Sequence, residues 1–562
     1  MSHVPINNNS PIFQMQENKD QILQEVAERS LEKLLKGHSA EFILNDSAYK
    51  ELMRLSKKHP KVEYWQSIYR SLNRMSPDEQ YALLHKMALE YGEDIIGRFN
   101  PKVYQFATYM LPTVFSFFLD PQLRLDRRNA FQEKVMIEGH VETTRQLIDK
   151  GTVILVPTHS SNMDSVVVGW SAYRSGLPPV TYGAGKNLFT NPLLSFFMHN
   201  LGAYRLDRRL KHELYKTVLK TYSLIILEHG FHSLFFPGGT RSRSGQLEQH
   251  LKLGLMGTGL EAYINNLRRG KEKPNIYLVP VTLNYYLVLE AETLINDYLQ
   301  EQGKSRYIIE DDESSKFLKS LSYMRKTLAL DASLFVRYCP PLDIFGNRVD
   351  EEGISYDDQG RAIDPTRYVK NWQNEIVLDE NRDQEYTREA GRKVAESYKS
   401  NNVILSPHLV SYVLFRYLIH KNPKLDFYQL IRIGAREAQI DRRALVEVID
   451  RFKRFLGEQE AQGVLRLATT LKHKPADMIL DEAVHYLQMF YSKEVVLTSG
   501  SRSTRGTGVL RKTNSLGDQA IRVQDMRLLY YYHNRLMGYD FEQRFFTEIL
   551  KPVVAQHQEA LA

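Results

Sequence analysis

The first hundred residues follow a helical pattern of apolar positions. Apolar residues recur every three or four positions, as in LQEVAERSLEKLLKG, a segment that ends at Gly37. A second helix is predicted after Ser76-Pro77-Asp78-Glu79, because serine caps a helix and proline and acidic residues suit its first turn. The pattern therefore predicts a helical N-terminal domain over residues 21–99.

From about Val135 the pattern changes to short apolar runs separated by helical segments. The runs predict strands at TVILVP (152–157), PVTYGA (179–184), HSLFFP (232–237), IYLVPV (276–281) and SLFVRY (333–338). The helical segments include Asp164–Arg174, Pro192–Asn200, Arg208–His229 and Leu255–Arg268. Such alternation is typical of a mostly parallel sheet covered on both faces. We predict an α/β fold, with a central mostly parallel sheet and flanking helices over residues 135–345, plus helical N-terminal and C-terminal domains.

The remaining segments are predicted from composition. Residues 1–20 are Asn-rich with little apolar content and predict a disordered N-terminus. Residues 346–386 contain several Gly and Asp and predict a polar linker. Residues 387–562 predict a helical C-terminal domain, interrupted by a mobile Gly/Ser/Arg-rich loop at Thr498–Thr513. The pattern shows no internal repeat.

Residues 100–134 contain an aromatic-rich run that carries no charge. The run VYQFATYMLPTVFSFFL at Val103–Leu119 is interrupted by Pro and polar residues and is too short to span a bilayer. It fits either a buried core helix or a helix lying in the membrane interface, where aromatic rings are favoured. We predict an amphipathic, membrane-associating segment at residues 100–134.

The charge distribution points to an anionic ligand. The net charge is +7, and nine Lys/Arg against four Asp/Glu fall between Leu201 and Gly254. This clustering favours an anion site, while the absence of a recognised binding motif argues against nucleic acid. The single cysteine, Cys339, excludes an internal disulfide framework, so we expect a reducing compartment. The first twenty residues show no secretory signal pattern.

His159 and Asp164 follow the predicted strand at residues 152–157, in the sequence THSSNMD. Loops at the carboxyl ends of parallel strands are where α/β folds place chemistry. A histidine held by a nearby carboxylate can act as a general base. The same residues also fit a polar loop in which the aspartate caps the helix that follows.

Two further segments predict phosphate binding. Arg208 and Arg209 begin a predicted helix, whose amide groups and guanidiniums suit a phosphate. The segment FPGGTRSRSG at 236–245 combines glycines, hydroxyls, Arg241 and Arg243 directly after a strand, and Lys252 follows. A phosphate or a polyanion similar to coenzyme A fits this composition better than a carbohydrate.

These segments, in this order, resemble the glycerolipid acyltransferases, specifically the long, bacterial-type glycerol-3-phosphate acyltransferases. The four blocks of that family are similar to HSSNMD (159–164), GAYRLDR (202–208), FPGGTRSRSG (236–245) and VPVTLNY (279–285). The resemblance covers residues 135–345 and extends, less closely, to LLYYYHN (528–534). One position departs from the family pattern: Gly238 stands where the family usually has Glu.

The resemblance implies transfer of a fatty acyl group from acyl-CoA or acyl-carrier protein to glycerol 3-phosphate, without a metal or another cofactor. It implies that His159 is the base and that Asp164 orients it. Acceptor or donor phosphates are expected to contact Arg208, Gly239, Arg241, Ser242, Arg243, Gly245, Lys252 and Pro280. The resemblance also implies a peripheral protein on an anionic surface, at the cytoplasmic face of the bacterial inner membrane.

Two other functions stay open. Acylation of 1-acylglycerol 3-phosphate (lysophosphatidic acid) shares all four blocks, although the chain length and the distal segments favour glycerol 3-phosphate. A catalytically degenerate lipid-binding protein is suggested by Gly238, because loss of that carboxylate affects how the acceptor is held. The same glycine leads us to expect that Gly238→Glu would sharpen acceptor discrimination.

Overall fold

The computed structural model describes residues 10–56, 58–119, 135–190, 192–303, 334–433, 438–489, 495–498 and 520–559. Residues 1–9 of the predicted disordered N-terminus, residues 120–134 of the predicted membrane segment and most of the predicted loop at 498–513 lie outside these ranges.

Among the described residues, the N-terminal part contains the α-helices α1 Lys19–Gly37, α2 Ala40–Arg54, α3 Val62–Ser71, α4 Pro77–Ile95 and α5 Pro101–Leu119. The predicted capping box is present at α4, where the Ser76 hydroxyl accepts the Glu79 amide and the Glu79 carboxylate accepts the Ser76 amide. Residues 10–20 differ from the predicted disorder. Ile12 and Met15 are fully buried in the same apolar cluster as α1 and α4, so burial of two side chains orders a segment of low overall hydrophobicity.

Eleven strands of the described residues form one sheet: β1 Val135–Gly139, β2 Gly151–Pro157, β3 Thr181–Gly185, β4 Ala203–Leu206, β5 Ser233–Leu234, β6 Asn275–Tyr285, β7 Leu334–Tyr338, β8 Leu342–Asp343, β9 Arg348–Val349, β10 Ser355–Tyr356 and β11 Ala362–Ile363. The order is β11-β10-β9-β8-β6-β2-β5-β3-β4, and β7 joins β6 to β1. All pairs from β6 to β4 are parallel. The predicted mostly parallel core is confirmed.

Helices cover both faces of this core: α6 Val141–Ile148, α7 Asp164–Arg174, α8 Pro192–Asn200, α9 Glu213–Glu228, α10 Met256–Arg268 and α11 Ala291–Gly303. Strand β2 is buried along its whole length. Its Val153 and Leu155 pack in one apolar cluster with α7, whereas Ile154 and Val156 pack in another with α10. Alternate side chains of one strand therefore serve two cores, as expected for a sheet covered on both faces.

Residues 346–386, predicted as a polar linker, instead extend the sheet through the antiparallel strands β9, β10 and β11. Turns recur every seven residues. Asp343, Asp350, Asp357 and Asn371 each accept two backbone amides, from the second and the fourth residue after them. Asp364, at the remaining position of this spacing, accepts the amide of the second residue after it. The chain thus contains a repeat that its apolar pattern does not reveal, because polar side chains rather than a core define it.

The C-terminal part contains α12 Glu380–Asn401, α13 Ser406–Lys421, α14 Phe427–Ile431, α15 Arg442–Ala461, α16 Thr469–His473, α17 Ala476–Met489, α18 Met526–His533, α19 Glu542–Arg544 and α20 Lys551–Glu559. Two small sheets accompany them, pairing β12 Val403–Ile404 with β14 Arg466–Leu467, and β16 Ala520–Val523 with β13 Gln439–Asp441 and β15 Val496–Thr498. Within the described ranges, no helix has the length and apolar character needed to cross a bilayer.

Candidate active site

The loop after β2 is fixed to the neighbouring strand β6. The amide of Thr158 donates to the Val281 carbonyl over 2.9 Å, and the Thr158 hydroxyl accepts the Leu283 amide over 3.0 Å. The chain then turns through residues 159–163 and enters α7 at Asp164. His159 and Asp164 are thereby held at the carboxyl end of the parallel core, where the sequence predicts chemistry.

His159 and Asp164 form a hydrogen-bonded pair. The distance from His159 Nδ1 to Asp164 Oδ2 is 2.8 Å, and the Asp164 side chain is fully buried. The same oxygen accepts the backbone amides of Ser160 and Ser161, over 2.6 and 2.9 Å. Because the acceptor-only carboxylate binds Nδ1, that nitrogen carries the proton and Nε2 carries the lone pair. This is the tautomer that a general base requires.

Tyr285 completes the environment of Asp164 and is a site residue that sequence reasoning missed. Its hydroxyl donates to Asp164 Oδ1. Burial raises the pKa of Tyr285 well above its ordinary value, and the Asp164 carboxylate raises it further, so the hydroxyl stays a donor. Tyr285 is the last residue of the block VPVTLNY. It is more than 100 residues from Asp164 in the sequence, so the sequence did not predict their hydrogen bond.

Glu290 is a second carboxylate that sequence reasoning missed. It accepts the Ser161 hydroxyl over 3.0 Å and the Asn162 amide over 3.1 Å. Its Oε1 also lies 3.9 Å from Nη1 of the buried Arg241. Burial raises the pKa of Glu290, while Arg241 opposes that shift. Glu290 thus ties the His159 loop to the segment that carries Arg241.

A cavity of about 360 Å³ opens beside this pair. It is lined by His159 and by four of the residues predicted to bind substrate, namely Arg208, Gly239, Arg241 and Lys252. Apolar side chains form much of the remaining wall, among them Tyr182, Leu188, Met198, Leu206, Leu219, Phe235, Phe236 and Leu255. The cavity therefore combines a base, cations, the carboxylate of Asp207, which pairs with Arg209, and an apolar surface.

Arg208 and Lys252 supply positive charge without a carboxylate partner in the described part of the chain. Burial lowers the pKa of Lys252, and the nearby Arg208 lowers it further. Gly239 has a φ of +74°, and a Cβ there would lie 2.5 Å from Cδ of Lys252. Glycine at this position therefore lets the lysine side chain cross the loop, and the two cations suit an anion.

The other four predicted substrate-binding residues do not line this cavity. The Ser242 hydroxyl donates to the Gln246 carbonyl, and Arg243 pairs with Glu301. Gly245, with a φ of +82°, packs against the Tyr531 carbonyl. Pro280 lies inside β6, where its carbonyl accepts the Cys339 amide. Ser242, Arg243 and Gly245 contact other parts of the protein, because only part of the loop formed by FPGGTRSRSG faces the cavity.

Comparison with known proteins finds a family match over the region that contains the site. Residues 138–284 match the family model described as Acyltransferase. The chain is similar to the glycerolipid acyltransferases of the glycerol-3-phosphate type. This confirms the resemblance predicted from the four blocks, and the match spans β2, the His159 loop, the cavity segments and nearly all of β6.

The curated relatives share only part of their length with this chain. A glycerol-3-phosphate acyltransferase of Aeromonas hydrophila is 34% identical over 205 residues, which are 36% of this chain and 23% of that protein. One from Pseudomonas entomophila is 24% identical over 437 residues, covering 74% of this chain and 45% of that protein. The chain thus spans between about a quarter and a half of the length of these relatives.

A solved structure is also similar. The 1-acyl-sn-glycerophosphate (LPA) acyltransferase PlsC of Thermotoga maritima has 14% sequence identity and a TM-score of 0.24, covering 53% of this chain and 83% of that one.

Proposed function

We propose that this protein transfers a fatty acyl group from an acyl thioester, acyl-CoA or acyl-carrier protein, to a hydroxyl of glycerol 3-phosphate. The observation that carries the proposal is the His159–Asp164 pair, which faces a cavity containing Arg208 and Lys252. The names of the curated relatives support the same acceptor.

The reaction follows from the geometry. His159 Nε2 takes the proton from the acceptor hydroxyl as that oxygen attacks the thioester carbonyl carbon. The resulting tetrahedral species collapses, the C–S bond breaks, and the imidazolium returns its proton to the thiolate. Asp164 stabilises the imidazolium in between. These steps use the protein's own residues and the acyl thioester co-substrate, and they draw on no metal or other cofactor.

The cavity walls supply substrate positioning. Arg208 and Lys252 would hold the acceptor phosphate, with Arg241 contributing to the same positive region. The apolar side chains of the cavity would contact the acyl chain. Holding both substrates beside Nε2 converts a bimolecular reaction into an effectively intramolecular one.

The protein is proposed to act on the surface of a membrane, as a peripheral protein at its cytoplasmic face. Helix α5 supports this, because Phe106 and Tyr109 are more than half exposed on it. Exposed aromatic rings on a helix are suited to the interfacial region of an anionic bilayer.

The test is an acyl-transfer assay with radiolabelled palmitoyl-CoA or palmitoyl carrier protein and mixed anionic vesicles. Glycerol 3-phosphate and lysophosphatidic acid are offered in parallel. We expect labelled lysophosphatidic acid from glycerol 3-phosphate, and His159→Ala should lower kcat by about 10²–10⁴-fold. His473→Ala, at an exposed histidine of α16, is the matched control.

Two outcomes would contradict the proposal. Labelled phosphatidic acid formed only from lysophosphatidic acid would assign the alternative acceptor. No product from either acceptor with either donor would remove the acyltransferase assignment.

A further inference from the structure

Glu248 is a partly buried carboxylate that the reaction described above does not use. Its Oε1 accepts the backbone amide of His159 over 2.6 Å, across 89 positions of the sequence. Glu248 is not among the residues that line the cavity, whereas His159 is. We propose that Glu248 is a positioning residue that holds the main chain of His159, and that Gly238 is glycine in order to leave it room. This inference rests on the proposed function.

The segment that carries Glu248 holds His159 at several points. The His159 carbonyl accepts the amide of Ser242 over 2.8 Å. The imidazole stacks on Phe236, with ring centroids 4.2 Å apart and an angle of 26° between the planes. Glu248 supplies the remaining contact, at the amide. Residues 236–248 therefore fix both backbone polar groups and one ring face of His159, while Asp164 fixes Nδ1.

The space for the Glu248 side chain exists because position 238 has no side chain. A Cβ at Gly238 would lie 2.9 Å from Cγ and 3.2 Å from Oε1 of Glu248. Real Cβ atoms essentially never approach another heavy atom below 3.0 Å. Gly239 and Gly245 both have positive φ, but Gly238 does not, so its backbone lies outside the left-handed region that favours glycine. Glycine at 238 thus leaves the space through which the Glu248 side chain reaches the His159 amide.

This geometry changes the expectation for Gly238→Glu. The sequence suggested an acceptor site lacking a carboxylate at position 238. The structure instead places the carboxylate of Glu248 against that position, so a glutamate at 238 would displace Glu248 from the His159 amide. We expect impaired catalysis, not sharper acceptor discrimination, from the single substitution.

The environment of Glu248 suits a fixed acceptor. Burial raises the pKa of its carboxyl group, while the His159 amide and the nearby Arg535 lower it. A carboxylate that accepts a backbone amide away from water forms a stronger hydrogen bond than a neutral acceptor does. The contact joins the segment that carries Glu248 to the loop that carries the base.

A double-mutant cycle tests the proposal. We expect Glu248→Ala to lower kcat by about 10–100-fold, the worth of a hydrogen bond to a charged group, with KM values changed less than about threefold. Glu248→Gln keeps an acceptor oxygen and should retain most of kcat. Gly238→Ala should lower kcat in the wild-type background but have little further effect in Glu248→Ala, where Cγ is gone.

Gly169→Ala is the matched control, since a Cβ at this helical glycine meets no atom within 4 Å. A second measurement is independent of activity. In protein labelled with ¹⁵N-histidine, the His159 amide signal, identified by its loss in His159→Gln, should shift upfield in Glu248→Ala and Gly238→Ala, but not in Gly169→Ala. If Glu248→Ala does not fold, Gly238→Ala carries the test through the same amide signal, and Glu248→Gln should leave that signal near its wild-type position because it keeps the acceptor oxygen.

Three results would overturn the proposal: unchanged kcat in a folded Glu248→Ala, equal losses from Gly238→Ala in both backgrounds, or a raised KM with unchanged kcat. Failure of the proposed function is distinguishable. An inactive wild-type protein would refute acyl transfer, whereas an unmoved His159 amide signal in Glu248→Ala would refute the positioning contact itself.

Discussion

Asp164 shows how one residue organises the candidate site. Its carboxylate is fully buried, yet it accepts hydrogen bonds from an imidazole, two backbone amides and a phenol. It also lies in the first turn of α7, where the helix dipole favours negative charge. These donors replace the water that burial removes, so the charge is kept in place to orient His159.

The phenol contact leads to a prediction for Tyr285→Phe. Removing a donor from a buried carboxylate weakens the group that stabilises the imidazolium, so kcat should fall about tenfold or more. The KM values should change little, because Tyr285 is not part of the cavity wall. Since the pKa of Tyr285 is raised, the loss should be constant between about pH 6 and pH 9.

The measurement is kcat against pH in wild type and variant. Tyr286→Phe is the matched control, because this neighbouring hydroxyl bonds to Thr470 instead. A Tyr285→Phe protein with wild-type kcat would show that the fourth donor is dispensable.

The buried His232 directly precedes β5, the strand that pairs with β2. Its Nδ1 accepts the Val153 amide over 3.0 Å, and burial lowers its pKa to about 4. The unfolded chain, with an ordinary histidine pKa of about 6.5, binds this proton more readily. The free energy of unfolding should therefore fall as pH decreases from about 6.5 to 4, by on the order of 1–3 kcal/mol from this group.

His232→Asn removes the titrating group but keeps an acceptor oxygen near Val153. Chemical denaturation should then show a flatter dependence of the unfolding free energy on pH in the variant than in wild type. Comparison at pH 8, where the imidazole is neutral in both states, isolates the packing loss of the substitution. Equal slopes in the two proteins would contradict the assignment.

The site residues that could be predicted follow a strand or lie in a basic, glycine-rich segment, as Arg208, Arg241 and Lys252 do. His159 and Asp164 lie five residues apart after a strand with a clear apolar pattern. Glu248 and Glu290 come from distant segments, and nothing in their local sequence marks them, because their role depends on contacts made by folding. Conversely, Ser242 and Arg243 have the composition of ligand-binding residues but make contacts within the protein.

At the scale of elements, predictability followed the apolar pattern. Strands β2 and β6 are long and buried, so their apolar runs were recognised. Strand β4 and the two-residue strands β9, β10 and β11 lack such runs. Strands β9, β10 and β11 form because aspartate side chains accept backbone amides and so close the turns between them. The sequence pattern that marks these turns is the spacing of the aspartates at seven residues. The association of residues 100–134 with a membrane stays a prediction.

Helix α5 allows that prediction to be tested. Ala107 is buried and Tyr104 packs on Phe99, whereas Phe106 and Tyr109 are 54% and 66% exposed. Transfer of exposed aromatic rings to the interface is favourable, so Phe106→Ser with Tyr109→Ser should weaken binding to anionic vesicles about tenfold or more.

Co-sedimentation with anionic vesicles measures this effect. Phe42→Ser with Tyr49→Ser is the matched control, because these rings are 52% and 57% exposed on α2. High salt should release part of the wild-type protein, as expected of a peripheral contact that includes charge. Equal loss of binding in both double variants would show that α5 has no particular role.

At the scale of the whole molecule, the C-terminal helices join the sheet next to the candidate site. The Tyr398 hydroxyl donates to the Val156 carbonyl at the end of β2, and the Thr282 hydroxyl donates to the Asn401 carbonyl. Asn534 donates to the Ser244 carbonyl in the loop that carries Arg241 and Arg243. The segment LLYYYHN and α12 therefore support the elements that present His159, which gives the C-terminal part a structural role in the site.

Arg535 is a buried cation at this junction. Its guanidinium donates to the Leu283 carbonyl over 2.7 Å and to the side-chain oxygens of Asn284 and Asn402 over 2.8 and 3.0 Å. Arg535→Met would leave three buried acceptors without this donor, at a cost of about 1–3 kcal/mol for each that stays unsatisfied. We expect Tm to fall by several degrees, and kcat to fall as well, because Leu283 and Asn284 precede Tyr285 on β6.

Arg454→Met, which removes an exposed ion pair with Asp450, is the control and should change Tm little. Thermal denaturation and hydrogen exchange of the β6 amides measure the two effects. Unchanged protection of Leu283–Tyr285 in Arg535→Met would mean that the C-terminal helices do not stabilise the end of β6.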